Sequence, residues 1–295
     1  MALTTAFVEA VRRQGSIPST VQDADILAWG DIEVQDTFVP LLEGLRSNYF
    51  VREALMSTSD GITSGRVELP FRAIGASLRS VQLQINNSWV SLPLRDMEAD
   101  DYLTTGQPAA YYVDAGAIRL LPTGTVGQLR VRYPMRPPKM AVDTDTTLTQ
   151  RISSVAVLAG TVTLTLGGAF TGGSVIDVVS SGPAHQTKLL NGALASPNSS
   201  YQESPVAGDY VAVPERSPFV PIPEELYGAL VHRTAGVVLR AQGYDEEAGM
   251  QLSLAGEAIE KSKLMLIPRN EGNPPMVRGG LRKALRRRNF GLRRW

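Results

Sequence analysis

The sequences YPMRPPKMAVDTD at residues 133–145 and PIPEELYGAL at residues 221–230 decide the fold of this chain. The first ends a strand-like run and continues into a rigid proline turn and an acidic loop. The second is a helix start, with Pro223 in the first turn followed by two glutamates. The stretch between them is rich in Thr, Ser, Gly and Val. Without it the flanks read as one continuous module, so we interpret residues 150–213 as an inserted β-rich domain.

The N-terminal residues 1–46 have the apolar spacing of helices. Thr4 or Thr5 is expected to cap a first helix that ends at Gly15. A second helix is expected from Asp23, because carboxylates are favourable at a helix N-terminus. Gly30 is the candidate break in this second helix.

From residue 48 the period of the apolar pattern changes to two, which predicts strands. Turn sequences such as Asn86-Asn87 separate these segments, so we expect a small antiparallel sheet. The predicted strands are residues 48–56, 66–71, 78–85, 89–94, 111–113, 117–121 and 128–133.

The C-terminal half returns to helical spacing at residues 223–267. Gly243 breaks this pattern and Asp245 is expected to cap a second helix, so the segment predicts a helical hairpin. The predicted fold class is therefore α+β, in which the N-terminal helices and the hairpin form a helical core beside the small sheet. We divide the chain into a core of residues 1–149 and 214–267, an inserted domain of residues 150–213, and a linker with a basic arm at residues 268–295.

Charge is distributed unevenly, although the 29 basic and 29 acidic residues balance over the whole chain. From Met276 onward there are eight basic residues and no acidic residue. The remaining chain has 21 basic and 29 acidic residues, a net charge of −8. An acidic body with a basic arm is typical of a protein that binds a partner through electrostatic attraction.

Several classes of function are disfavoured by the composition. The absence of cysteine excludes disulfides, thiolate zinc sites and cysteine nucleophiles. The only histidines, His185 and His232, have no second histidine or carboxylate four residues on, as a helical metal site would need. The glycine pairs at 167–168 and 172–173 lack the Lys-Ser/Thr of a phosphate-binding loop. We therefore predict no enzyme activity, no cofactor and no metal site, and no apolar run approaches the length of a membrane span. We expect the acidic cluster Asp96, Glu98, Asp100 and Asp101 to be a solvated face.

The basic arm is the predicted partner-binding site. Leu281 and Leu285 are four residues apart, which favours a short amphipathic helix over residues 281–288. The arm could dock on an acidic groove of a partner, contact DNA phosphates, or act as a solubilising tail. The apolar residues near its end favour the first interpretation. The candidate residues are Arg278, Arg282, Lys283, Leu285, Arg286, Arg287, Arg288, Phe290, Arg293, Arg294 and Trp295.

The order of motifs in the two flanks resembles the head-to-tail adaptor proteins of tailed bacteriophages, also called connectors or tail accessory factors. The similar segments are residues 48–56, 69–75, 111–113, 118–122, 130–133, 136–138, 143–145 and 221–231. The resemblance covers residues 1–149 and 214–267 and has no counterpart for residues 150–213.

The resemblance implies a virion protein, made in the host cytoplasm, that forms a ring of twelve copies between portal and tail. Its expected partners are the portal protein, a tail or nozzle protein and further copies of itself, with DNA passing through the channel without specific recognition and no membrane contact. The alternative is a DNA-binding or packaging-associated protein whose basic arm contacts nucleic acid.

Overall fold

The computed structural model describes residues 2–45, 48–56, 66–70, 72–75, 77–96, 107–114, 116–122, 128–158, 161–182, 187–195 and 204–267. These residues form a mixed α+β fold, as the sequence predicts. Within these ranges no helix is long and apolar enough to cross a membrane.

The helices of both chain ends share one hydrophobic core, and together we call them the helical unit. They are α1 (Thr4–Gly15), α2 (Asp23–Glu33), a π-helical turn (Val34–Phe38), α3 (Val39–Leu45), α4 (Glu224–Ala241) and α5 (Asp245–Leu266). Helix α4 is central, because it packs against α1, α2 and α5. The side chains of Phe7, Ile26, Phe38, Leu226 and Leu230 are fully buried in this core.

Two details of the N-terminal helices differ from the prediction. Neither threonine caps α1: Thr4 is its first helical residue, and the Thr5 N–H donates to Asp143 Oδ1 over 3.0 Å. The acidic loop after the proline turn therefore caps the helix from a distance in sequence. Gly30 does not break α2, because it lies inside the helix where a Cβ would stand 2.7 Å from Met140 Cε.

Seven strands between residues 51 and 134 form two antiparallel sheets rather than the single small sheet predicted. They are β1 (Val51–Met56), β2 (Arg66–Glu68), β3 (Ser80–Ile85), β4 (Ser88–Leu92), β5 (Ala110–Asp114), β6 (Ala117–Leu121) and β7 (Leu129–Pro134). Their orders are β1-β7-β3-β4 and β2-β6-β5. A bridge between Leu94 and Tyr111 connects the sheets, and both bury side chains in one core. We call these seven strands the half-barrel.

Residues on either side of the predicted insertion lie next to each other. Strand β8 (Lys139–Met140) pairs in parallel with β14 (Arg216–Ser217). The Ala141 N–H donates to the Ser217 carbonyl over 2.9 Å. The chain therefore leaves this point after β8 and returns to it at β14. The intervening segment of about 75 residues has the length of one small domain.

The intervening residues form one five-stranded sheet. Its strands are β9 (Thr149–Leu158), β10 (Thr161–Leu166), β11 (Val175–Val179), β12 (Thr187–Ala193) and β13 (Tyr210–Ala212), in the order β10-β9-β13-β11-β12. Strand β12 was not predicted. The side chains of Ile152, Ile176, Val178, Leu189 and Val211 form the sheet's own core. Whether residues 150–213 fold as an independent domain remains a prediction.

Candidate functional site

The predicted partner-binding residues of the basic arm lie outside the described residues. This applies to Arg278, Arg282, Lys283, Leu285, Arg286, Arg287, Arg288, Phe290, Arg293, Arg294 and Trp295. The structure does describe the point from which the arm extends. Ile267 follows the last residue of α5 and is exposed, so the arm starts at the end of a helix that belongs to the helical unit.

Helix α5 has an apolar surface on the side that faces away from α4. Met250, Leu254, Leu264 and Met265 are 64%, 43%, 67% and 62% exposed, respectively. At about 100° per residue they fall within one arc of the helix circumference, in which the exposed Glu257–Lys261 ion pair separates Met250 and Leu254 from Leu264 and Met265. We call these four residues the α5 outer face. Its exposure on a helix with a well-packed opposite side marks it as a candidate protein contact.

The charges of α5 are predominantly negative. Asp245, Glu246 and Glu247 occupy the first turn. The two lysines of the helix pair with its other two glutamates, Lys261 with Glu257 and Lys263 with Glu260. The helix therefore has five acids and two bases, a net charge of −3, and a basic and apolar ligand would complement it.

A second apolar surface is formed by Trp29 and Ile32, which are exposed on α2. We call these two residues the α2 outer face. Helices α2 and α5 both pack against α4. Arg233 of α4 forms an ion pair with Glu33 of α2, and a Cβ on Gly236, one turn further along α4, would stand 2.8 Å from Leu252 Cγ of α5. The helical unit therefore presents two separate apolar surfaces of different composition.

The hairpin of β9 and β10 presents a third apolar surface. Val157 and Leu158, at the end of β9, are 64% and 80% exposed. Residues 152–176 contain no charged side chain, and β10 is an edge strand of its sheet. Soluble proteins commonly protect edge strands with charges, prolines or bulges. Strand β10 has no charge or proline, although its pairing with β9 shifts in register between Thr165 and Leu166. Its uncharged edge and apolar tip are therefore a candidate contact with another protein.

A buried ion pair fastens the five-stranded sheet to the half-barrel and the proline turn. Arg72 Nη1 lies 3.6 Å from Asp177 Oδ2, and both side chains are buried. The same guanidinium donates from Nη2 to the Arg136 carbonyl over 2.7 Å. Asp177 accepts the N–H groups of Asn191 and Glu215 at 2.8 and 3.0 Å. One carboxylate therefore connects the sheet, the segment after β2 and the segment that returns toward α4.

Backbone geometry and ionisation both indicate strain at this ion pair. Arg72, Asn191 and Glu215 have φ values of 59°, 52° and 68°, which non-glycine residues rarely adopt. Burial raises the pKa of Asp177, although its hydrogen bonds and Arg72 act in the opposite direction. Burial lowers the pKa of Arg72, and Asp177 partly offsets this.

A second buried ion pair lies at β12, the edge strand opposite to β10. Lys188 Nζ lies 2.9 Å from Asp209 Oδ2. Burial alone would raise the pKa of Asp209, but the N–H groups of Ser181 and Val206, together with Lys188, hold it below its usual value. This pair explains how Lys188 is tolerated inside β12.

Asp31 of α2 is a partly buried carboxylate with a strongly raised pKa. Burial raises the pKa of Asp31 to about 7, against the opposing effects of the Met140 N–H, Arg216 and Lys139. Its Oδ1 accepts the Met140 N–H over 2.8 Å. Asp31 therefore connects the helical unit to β8, at the point where the chain leaves for the five-stranded sheet.

The residues considered for catalysis or metal binding occupy ordinary packing environments where they are described. His232 lies beside a cavity of about 190 Å³ between α1 and α4, and its Nδ1 is 2.8 Å from Gln251 Oε1. A cavity of about 290 Å³ on the five-stranded sheet is lined by Arg151 and Gly208. Within the described ranges no group of three or more His, Asp or Glu side chains is placed to hold a metal ion. His185 and, from the acidic cluster, Glu98, Asp100 and Asp101 lie outside those ranges.

Sequence reasoning missed the α5 outer face, the hairpin tip and the Arg72–Asp177 pair. The first two had detectable signals: apolar residues outside the buried helical stripe, and a long uncharged segment. The third had none, because its partners are far apart in the chain. Comparison of the sequence with protein-family models and with curated proteins found no match in either case.

Proposed function

We propose that this protein is a head-to-tail adaptor, a virion structural protein without enzyme activity that forms a ring between the portal and the tail of a bacteriophage. The observation that carries the proposal is the pair of separate apolar surfaces on the helical unit. A closed ring requires a heterologous contact, in which one surface of each copy binds a different surface of the next. The α2 outer face and the α5 outer face supply two such surfaces, on two different helices.

In the proposed assembly, the α2 outer face of one copy packs on the α5 outer face of its neighbour. Repetition of this contact builds the wall of the ring, for which the resemblance implies twelve copies, around a channel for DNA. Each contact buries apolar side chains of both outer faces, and apolar burial contributes about 25 cal/mol per Å².

The basic arm is proposed to bind the portal. It extends from the end of α5 and therefore from the ring wall, and its arginines and aromatic residues are the types that dominate binding energy at protein interfaces. The hairpin of β9 and β10 is proposed to contact the tail or nozzle protein, since its uncharged edge can pair with a strand of another chain.

The ring contact is tested with two complementary variants, Ile32→Glu in α2 and Leu254→Glu in α5. We expect each variant alone to remain monomeric under conditions in which the unmodified protein assembles, because a buried unpaired carboxylate is costly. A mixture of the two is expected to form dimers, because each variant keeps one intact surface. Analytical ultracentrifugation measures the masses.

Leu55→Glu is the matched control, because Leu55 is also an exposed leucine but lies in β1 of the half-barrel. We expect it to assemble normally. Ring formation by both Ile32→Glu and Leu254→Glu would contradict the proposed contact.

Portal binding is tested by deletion of residues 276–295. We expect the body to remain folded and to lose co-sedimentation with the portal. Retained co-sedimentation would contradict the role of the arm.

The alternative function, a DNA-binding or packaging-associated protein, is favoured by the eight basic residues of the arm. It predicts arm-dependent DNA retention that falls steeply as salt increases, because phosphate contacts release counterions. Full-length and arm-deleted protein compared on DNA at low and physiological salt would distinguish the two functions.

A further inference from the structure

We infer that, before assembly, the basic arm at residues 276–295 binds the α5 outer face of its own chain, and that ring formation releases it. The contact between arm and helix stands on the described geometry and the sequence. The release step rests on the proposed function, because it requires a neighbour that competes for the same face.

Both the α5 outer face and the arm have apolar side chains that could pack together. Met250 and Leu254 lie one turn apart on α5, and Leu264 and Met265 lie about three turns further along the helix. The arm interleaves its charges with apolar side chains that are two to five residues apart. Its apolar residues are Leu281, Leu285, Phe290, Leu292 and Trp295. Apolar side chains from an arm seated along α5 would cover a surface that is otherwise exposed to water.

The charges of α5 and of the arm are complementary. Helix α5 has a net charge of −3, and three of its acids lie together in its first turn. The arm has eight basic residues and no acidic residue. An arm that runs back along α5 brings its C-terminal arginines, Arg293 and Arg294, toward these acids, so the attraction also fixes the antiparallel direction.

The linker and arm are long enough to turn back and cover α5. Helix α5 has 22 residues and is about 33 Å long. The eight residues between Ile267 and residue 276 span up to about 30 Å when extended, which is ample for a reversal of direction. The remaining 20 residues cover the length of α5 as either a helix or an extended chain. A tether this short gives an effective concentration of about 1 mM, so the chain's own arm outcompetes that of another copy in dilute solution.

The consequence is that one face serves two ligands in succession. In the single chain the arm covers the α5 outer face and is withheld from anionic molecules such as nucleic acid. In the proposed ring the neighbour's α2 outer face displaces the arm, which then becomes available to the portal. Portal binding would thereby be confined to assembled rings.

The arm contact is tested by disulfide trapping in the full-length chain, which contains no native cysteine. The probe pair is Ser253→Cys, an exposed position beside the α5 outer face, with Arg288→Cys, and the matched control is Ile32→Cys with Arg288→Cys. Under mild oxidation of dilute protein we expect the probe pair to cross-link at least about tenfold faster than the control. The product should migrate as a monomer, and adding Met250→Lys and Met265→Lys should slow its formation, because the lysines remove apolar contacts and repel the basic arm.

Two results would overturn the arm contact. Equal rates for the probe and control pairs would show that the arm has no preference for α5. Predominantly dimeric product from the probe pair would place the arm on a second copy instead.

The release step is tested with the cross-linked monomer. We expect the oxidised form to remain monomeric and to assemble once the disulfide is reduced. Assembly of the oxidised form at an unchanged rate would overturn the competition. Failure to assemble after reduction would overturn the proposed ring, and the release step with it, while the trapping result would continue to support the arm contact.

Discussion

The helical unit and the five-stranded sheet are stabilised in different ways. The helical unit buries a large continuous apolar core that includes Phe7, Phe38 and Leu230. The five-stranded sheet has a much smaller core and also buries Asp177, Lys188 and Asp209. Apolar packing tolerates changes of partner if volume is conserved, whereas buried charges are stable only with their specific partners.

The two regions therefore differ in role: one supplies most of the free energy of folding, and the other fixes the position of the sheet. The apolar core of the helical unit provides the free energy that holds the fold together. The Arg72–Asp177 pair contributes less net free energy, because both charges lose hydration, but it admits only one arrangement of the sheet relative to the half-barrel and the proline turn. The predictions below test this division.

The largest effect is expected for Asp177→Ala. The substitution leaves Arg72 as a buried cation without a carboxylate and removes the acceptor of the Asn191 and Glu215 N–H groups. We expect a loss of about 3–5 kcal/mol in the free energy of unfolding, measured by urea denaturation. Asp177→Asn is the control, because it keeps an acceptor and should cost less.

Double substitution sharpens this prediction. Arg72→Ala combined with Asp177→Ala should cost less than the sum of the two single substitutions, because neither charge is then left without its partner. Additive losses would show that the pair does not hold the sheet in place.

Leu230→Ala in α4 is expected to cost about 3 kcal/mol, because Leu230 is fully buried and the substitution leaves a cavity. The loss should be the same at about pH 5 and about pH 8, since no ionisable group is changed. A loss that varied strongly with pH would contradict the apolar character of this core.

Asp31→Asn is expected to increase stability at alkaline pH. The folded chain raises the pKa of Asp31 to about 7, so it favours the protonated carboxyl. This contribution is fully present below about pH 4 and is lost as pH rises to about 7. Asparagine is always neutral and can still accept the Met140 N–H.

We therefore expect the Asp31→Asn variant to exceed the unmodified protein by about 2 kcal/mol at about pH 8, a value reduced for solvent screening of a partly buried group. The two proteins should have similar stability near pH 4, where both side chains are neutral. Thermal unfolding across this pH range measures the difference, and parallel curves would contradict the prediction.

The smallest effect on stability is expected for Leu158→Asp at the hairpin tip. Leu158 is highly exposed, so the free energy of unfolding should change by less than about 0.5 kcal/mol. Binding to the tail partner should nevertheless weaken, because the proposed contact would bury the new carboxylate. Val155→Asp is the contrasting variant, since Val155 packs against the sheet's core and its substitution should reduce stability as well.

The elements that could be predicted are those whose signals are local. The start of α4 follows from Pro223 and its two glutamates, and Gly243, with a φ of 88°, ends the first helix of the hairpin. Alternating apolar residues similarly predicted most strands of the half-barrel. The division into two sheets could not be predicted, because it depends on pairing between strands distant in sequence.

The elements that could not be predicted depend on distant partners. Strand β12 contains Lys188, which reads as a surface residue until Asp209 is placed beside it. Arg72 likewise gave no sign that Asp177 would neutralise it. The α5 outer face could have been found, since Met250 and Leu254 lie outside the helical stripe that is buried against α4.

The pairing of β8 with β14 has an evolutionary consequence. It keeps the two ends of the segment that contains the five-stranded sheet side by side, so the length of this segment can change at a small cost in closure entropy. Doubling such a connection costs only about 0.6 kcal/mol in closure entropy. Exchange of modules at this position in evolution would require adjacent termini and a substitute for Asp177, because Arg72 would otherwise become a buried cation without a carboxylate.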